Sequence, residues 1–241
     1  MRGFIFWNLY ICKNFQIVAI ILNIETATKN CSVSIADKGE VLVLRELNDL
    51  NYSHAEKLHP FINAALKEAN LTINEIDAVA VSKGPGSYTG LRIGVSAAKG
   101  ICFAIDKPLI SIETLTSLST AITVDNGFVV PMLDARRMEV YTAIFDGTKK
   151  WIQETTAEVL TKETFSLIVG EESCLIIGDG AIKFKTLYPK INASYTSEIH
   201  YPVAKDMITL AWNKFNIKDF EDLAYFEPFY LKDFQTTPPK K

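Results

Sequence analysis

The sequence predicts an α/β fold built from two similar lobes, and three observations carry it. Short β-branched runs alternate with amphipathic or apolar helical segments over the 241 residues. A strand that ends in an acid, a tight turn and two further strands occur twice, about 110 residues apart, at Glu25 and at Asp134. Nearly half the residues are hydrophobic, enough to bury a core in each half.

Ile17–Ile24, Ser32–Ala36 and Val41–Leu44 read as three antiparallel strands, separated by the turn chemistry of TATKN and DKGE. Ser53 and Glu56 form a capping box that opens a helix, in which Leu58, Phe61, Ile62, Ala65, Leu66 and Ala69 recur at helical spacing. Pro60 is expected to kink it, because proline removes one bond of the ladder. Ile76–Val81 is a buried strand. Leu91–Ile105 is a helix apolar or small nearly all the way round, Pro108–Ile112 a strand, and Thr114–Ile122 a short helix. After Asp125-Asn126-Gly127 the pattern restarts: Phe128–Leu133 ends at Asp134, ARR turns, Met138–Phe145 alternates, and Asp146-Gly147 leads to Lys150–Ile152. A helix near Lys162–Val169, a strand Cys174–Ile177 ending in Gly178-Asp179-Gly180, and a helix near Ala204–Phe215 follow. This order is the outline of the actin-like, sugar-kinase-like (ASKHA) fold, a duplicated two-lobe α/β architecture. The expected organisation is an N-terminal extension over 1–18, from a mis-called start codon or poor order, a first lobe over 19–122 that binds a partner, a smaller second lobe over 123–230, and a flexible tail over 231–241.

A net charge of −3 leaves no basic surplus for unaided binding to a phosphate backbone. Four scattered cysteines fit a reducing cytoplasm and nucleate no zinc site. His54 and His59 are five apart, about 140° around a helix, so they do not form a metal pair. The apolar run from Gly3 to Cys12 is too short to span a bilayer, and no membrane association is expected.

Three roles compete for KGPGSYTGLRIG. A glycine loop feeding a helix N-terminus could cradle an anion through Gly84, Pro85, Gly86, Ser87 and Gly90, although it matches neither common phosphate-loop pattern. It could be a turn at Pro85-Gly86 with Ser87 or Thr89 as a cap. Thirdly, Gly90, Gly94, Ala97, Ala98 and Gly100 lay small residues along the helix. Each interior glycine costs about 0.5–1 kcal/mol relative to alanine, so another backbone must approach closely. That neighbour is the first helix of the chain or a helix of a second protein.

The segments ILNIETAT (Ile21 to Thr28), SHAE (Ser53 to Glu56), KGPGSYTGLRIG, PLISIETL and PMLDARRMEVY together resemble the TsaB (YeaZ) family, strongly over residues 19 to 145. The glycine stretch together with LDARR is the specific part. One departure is Glu25, where the family and its actin-like relatives commonly carry aspartate. The resemblance implies a decayed nucleotide site and a noncatalytic dimerisation subunit for synthesis of N6-threonylcarbamoyladenosine at position 37 of tRNA. That subunit pairs with its catalytic paralogue, TsaD. It implies a P-loop ATPase of TsaE type in the same complex, ATP and metal on those partners and none bound tightly here, and tRNA met only through the complex. The catalytic paralogue carries a His-x-x-x-His metal pair where this chain has Thr114 and Leu118. The partner interface is expected at Leu58, Ile62, Arg92, Ile93, Ser96 and Ala97, and the same apolar pair could self-associate when the partner is missing. Two alternatives remain. One is an ATP-dependent phosphotransferase, in which Glu25 and Asp134 hold a divalent cation and Gly178 and Gly180 support a nucleotide. The other is a peptidase acting on the paralogue, with Ser87 or Ser53 as nucleophile near His54.

Overall fold

The computed structural model describes residues 19–48, 54–161, 174–189 and 193–232. Strands β1 (Ile20–Glu25), β2 (Asn30–Asp37), β3 (Glu40–Asn48), β4 (Ala78–Gly84) and β5 (Leu109–Glu113) form one sheet in the order β3-β2-β1-β4-β5. β1 and β2, and β2 and β3, pair antiparallel, while β1, β4 and β5 run parallel. Helix α1 (His54–Ala69) connects β3 to β4, and α2 (Tyr88–Ile105) connects β4 to β5. Strands β6 (Phe128–Asp134), β7 (Glu139–Asp146), β8 (Trp151–Val159), β9 (Cys174–Ile177) and β10 (Ser194–Tyr195) form the second sheet in the order β10-β9-β6-β7-β8. The two orders are equivalent, so the repeat read from the sequence is a structural duplication. Helix α4 (Ala181–Leu187) and β10, neither anticipated, are short counterparts of α2 and β5.

Burial of both faces explains why β1, β4 and β5 are mostly apolar, with Asn23, Ser82 and Ser111 buried among the apolar residues. Leu22, Ile24, Val79, Val81 and Leu109 face α1 and α2, while Ile21, Ala78, Ala80, Ile110 and Ile112 face the opposite side. That opposite side is covered from far along the chain, by Met207 of a 3-10 turn (Ala204–Met207) and Ala211 of α5 (Ile208–Asn216). The expected helix Ala204–Phe215 is therefore two elements. The expected second lobe, 123–230, also needs redrawing from residue 204 onward: an apolar sheet face left bare by its own lobe draws the later segment back. Asn30 Nδ2 donates to Pro202 O (3.1 Å), Ala204 N–H to Ser32 Oγ (2.9 Å), and Ser34 Oγ to Ala204 O (3.0 Å), which seats the returning chain on β2. Helix α3 (Thr114–Thr120) makes the reciprocal crossing, with Leu115 and Leu118 packed beneath Val129, Leu133 and Phe145 of the second sheet.

Past α5 the chain forms a strap across the first lobe. Glu221 bridges to Leu109, Phe226 enters the core, Lys99 Nζ donates to Phe226 O (2.9 Å), and Phe229 N–H donates to Lys83 O (2.7 Å). Helix α1 continues through Pro60 without a break. The Ser53 half of the capping box, the helix expected near Lys162–Val169, the extension over 1–18 and most of the tail lie outside the described residues.

Candidate functional site

Helix α2 starts where the β1–β2 turn is packed against it. Ser87 caps the helix, accepting from Gly90 N–H (3.3 Å), and its own N–H donates to Ala27 O (2.6 Å). A Cβ placed at Gly86 would lie 2.3 Å from Ala27 O, one at Gly90 2.1 Å from Thr26 O, and one at Gly94 2.2 Å from Thr26 Oγ1. Thr26 Oγ1 donates to Gly90 O (2.8 Å). The closest neighbour of the glycine stripe is thus the β1–β2 turn of this chain, with His54 at the start of α1 next, 3.3 Å from the Cβ position of Gly90. At the glycine loop, Gly84 has φ +117° and its Cβ position faces Phe229 O of the strap at 2.6 Å, while Pro85 follows a cis peptide bond. The Ala27 carbonyl occupies the place where an anion would meet the Ser87 N–H. Gly100 is different: nothing lies within 4 Å of its Cβ position.

Gly90, Gly94 and Ala98 turn inward, and the stripe beside them, about 60° round α2, is half-buried at the edge of the core. There α1, a 3-10 turn (Ile73–Glu75) and α2 border an open groove of about 410 Å³, lined by His59, Ile73, Ile93, Ala97, Ile101 and Ile105 among others. Ser96 and Gly100 lie on the same face, and Phe103 beside it is 82% exposed. Of the six expected interface residues, Ile93, Ser96 and Ala97 line this groove. Leu58 and Ile62 do not: at 0% and 4% exposure they are core, because the apolar stripe of α1 faces β2 and β3. Arg92 is exposed on the other flank, its guanidinium 4.1 Å from the Tyr88 ring centroid and its Nε donating to Tyr230 OH (3.2 Å). The sequence reading gave Ile101 and Ile105 no place in the interface, although their i, i+4 spacing onward from Ile93 and Ala97 was the available signal.

The strand-end acids meet different fates. Glu25 is fully buried, its Oε1 accepting from Ala27 N–H (2.6 Å) and Ser82 Oγ (2.8 Å), while Oε2 has no partner. Burial pushes its carboxyl up to about 7, against the pull of those two hydrogen bonds and with help from the Asp206 charge. Asp206 is itself pushed up to about 6, chiefly by burial. Asp134 is exposed and paired with Lys183 Nζ (2.6 Å), and its Oδ1 also accepts from Arg136 N–H (2.6 Å). Gly178 (φ +101°) and Gly180 are packed against β6: their Cβ positions lie 2.1 Å from Met132 O and 3.0 Å from the Leu133 carbonyl carbon. Close packing of two chain segments accounts for both glycines. Thr114 and Leu118 are completely buried. His54 Nε2 donates to Thr28 O (2.6 Å), so that nitrogen is engaged by backbone, and Ser87 serves as the cap of α2. Among the described residues no three His, Cys, Asp or Glu side chains gather as a metal site, and no helix is long and apolar enough to cross a membrane.

A family model described as "TsaD: tRNA N6-adenosine threonylcarbamoyltransferase" matches residues 49–236. The chain is 30% identical over 222 residues to the tRNA threonylcarbamoyladenosine biosynthesis protein TsaB of Escherichia coli, with 88% of this chain and 94% of that one covered. It is 29% identical over 226 residues to the TsaB of Haemophilus influenzae, covering 88% and 93%. Among solved structures, YeaZ from Pseudomonas aeruginosa superposes with a TM-score of 0.73 at 24% identity, covering 88% of this chain and all of that one.

Proposed function

This chain belongs to the TsaB family of tRNA threonylcarbamoyladenosine biosynthesis proteins, and from that membership we propose that it acts as a noncatalytic docking subunit for a TsaD-like paralogue. The observation that carries the proposal is the half-buried stripe of α2 at the edge of the core. Ile93, Ala97, Ile101 and Ile105 border an open apolar groove, and Phe103 stands beside it in solvent. A continuous apolar surface of this kind is stabilised when a second helical face covers it. The paralogue has the same ancestry, so its corresponding helices offer the complementary shape.

The strand ends support the noncatalytic half of the reading. Glu25 is sealed inside with one oxygen unpartnered, and Asp134 is neutralised by Lys183, so the two acids do not present open carboxylates to a shared cation. Transfer of the threonylcarbamoyl group, metal binding and ATP hydrolysis by a P-loop subunit then belong to the partners. Lacking a partner, two copies would cover the same groove with each other.

Ala97→Arg tests this directly. Ala97 is half-buried at the groove, so a long cation there blocks docking without entering the core. The variant is expected to keep the melting temperature of the wild type and to lose co-purification with co-expressed paralogue on a sizing column. A complex of undiminished yield would remove the groove from the interface.

A further inference from the structure

Two residues of the three-residue loop between β6 and β7, Arg136 (φ +67°) and Arg137 (φ +48°), hold left-handed backbone. Asparagine and glycine adopt that conformation at least cost. The turn is pinned by Arg136 N–H on Asp134 Oδ1 (2.6 Å), Ala135 N–H on Glu139 O (3.1 Å) and Glu139 N–H on Arg136 O (3.2 Å). Two successive arginines held in this costly conformation point to a use for the side chains.

Both are exposed, and among the described residues neither guanidinium has a carboxylate partner. The neighbouring acids are already engaged. Asp134 pairs with Lys183, Glu139 with Lys232, and Asp179 accepts from Asp134 N–H (2.9 Å) with Lys29 nearby. Lys29, Arg136, Arg137, Lys183 and Lys232 therefore outweigh three acids, in a chain whose net charge is −3. The basic track continues along the strap. Two residues before Lys232, Tyr230 lies 4.8 Å from the Tyr88 ring and accepts from Arg92, with Glu227 adding negative charge near that end. Guanidinium groups interleaved with aromatic rings suit a phosphate chain, since the planar fork matches phosphate oxygens and the rings take stacked bases.

We infer that the Arg136–Arg137 turn and this track receive the phosphate backbone of tRNA. The inference rests on the function proposed above. In a chain of net charge −3 the cluster binds RNA weakly by itself, so the contact is read in the assembled complex or, for the chain alone, at low salt.

The test titrates an unmodified tRNA transcript, by fluorescence anisotropy, into the complex of the full chain with its co-expressed paralogue at about 50 to 200 mM salt. Arg136→Asn with Arg137→Asn removes both charges while keeping residues that tolerate the left-handed turn. The expected result is roughly tenfold weaker binding and a salt slope shallower by about 1.5, with complex mass and melting temperature unchanged. Lysine at both positions is expected to restore most of the slope. Equal affinity and slope in wild type and double variant overturn the inference. Loss of the complex in the variant also overturns it, by making the turn a protein contact. If the wild-type chain forms no complex, the docking function fails, and the same titration on the chain alone at about 50 mM salt decides the RNA question. There a difference between wild type and variant supports the inference, and no difference ends it.

Discussion

At Glu25, a carboxyl that ends a buried strand has two hydrogen-bond donors for one oxygen and none for the other. Its pKa stands near 7 in the folded protein against 4.5 for the exposed group, so the native state holds the proton more tightly than the unfolded chain does. The stability this confers is fully present below about pH 4.5 and is lost as pH rises through 7, a difference of about 3 kcal/mol. Asp206 leans the same way. Glu25→Gln cannot ionise and keeps an oxygen for Ser82 and Ala27. Between pH 5 and 8 the wild type is expected to lose roughly 6 °C more in melting temperature than this variant, and parallel pH curves would remove the account. The sequence marked Glu25 as a departure from its relatives. That its oxygens point inward, away from solvent and cation, is a matter of neighbours 57 residues away, and no local pattern reports them.

Helix α2 illustrates how an element can be legible while its partner is not. The small-residue stripe at i, i+4 spacing announces a close approach, and the approach exists. Its target, the β1–β2 turn at Thr26 and Ala27, is chosen by the parallel pairing of β1 with β4, which sets α2 directly over the end of β1. Gly90→Ala tests the contact. The added methyl would sit 2.1 Å from the Thr26 carbonyl oxygen, and backbone cannot swing aside as a side chain can. Overpacking of this kind outweighs the gain in helix propensity, and a net loss of about 2 kcal/mol in urea unfolding is expected. An alanine variant as stable as the wild type would mean that the turn is loosely held. Helix α1 shows the converse. Leu58 and Ile62 have the periodicity of a docking face, but periodicity says only that one face is apolar, and here that face lies on the chain's own sheet.

Across the whole molecule, each lobe completes the other. Leu115 and Leu118 pass from the first half beneath the second sheet, and Met207 and Ala211 return from the second half to cover the first. Residues 19–122 expressed alone are therefore expected to expose Ile21, Ala80, Ile110 and Ile112, bind a hydrophobic dye and aggregate, whereas the full chain does neither. A soluble, cooperatively unfolding fragment would show that the crossing segments are dispensable. Strand and helix order, the duplication with its acid-ended strands, and the glycine-rich entry to α2 followed from the amino-acid sequence, because period and turn chemistry are local properties. Tertiary packing decided which apolar faces are core and which remain open, where the chain recrosses between lobes, and that the two strand-end acids are sealed or paired. These depend on residues distant along the chain coming together, and hydrophobic burial is non-directional: it demands that a face be covered without naming the segment that covers it.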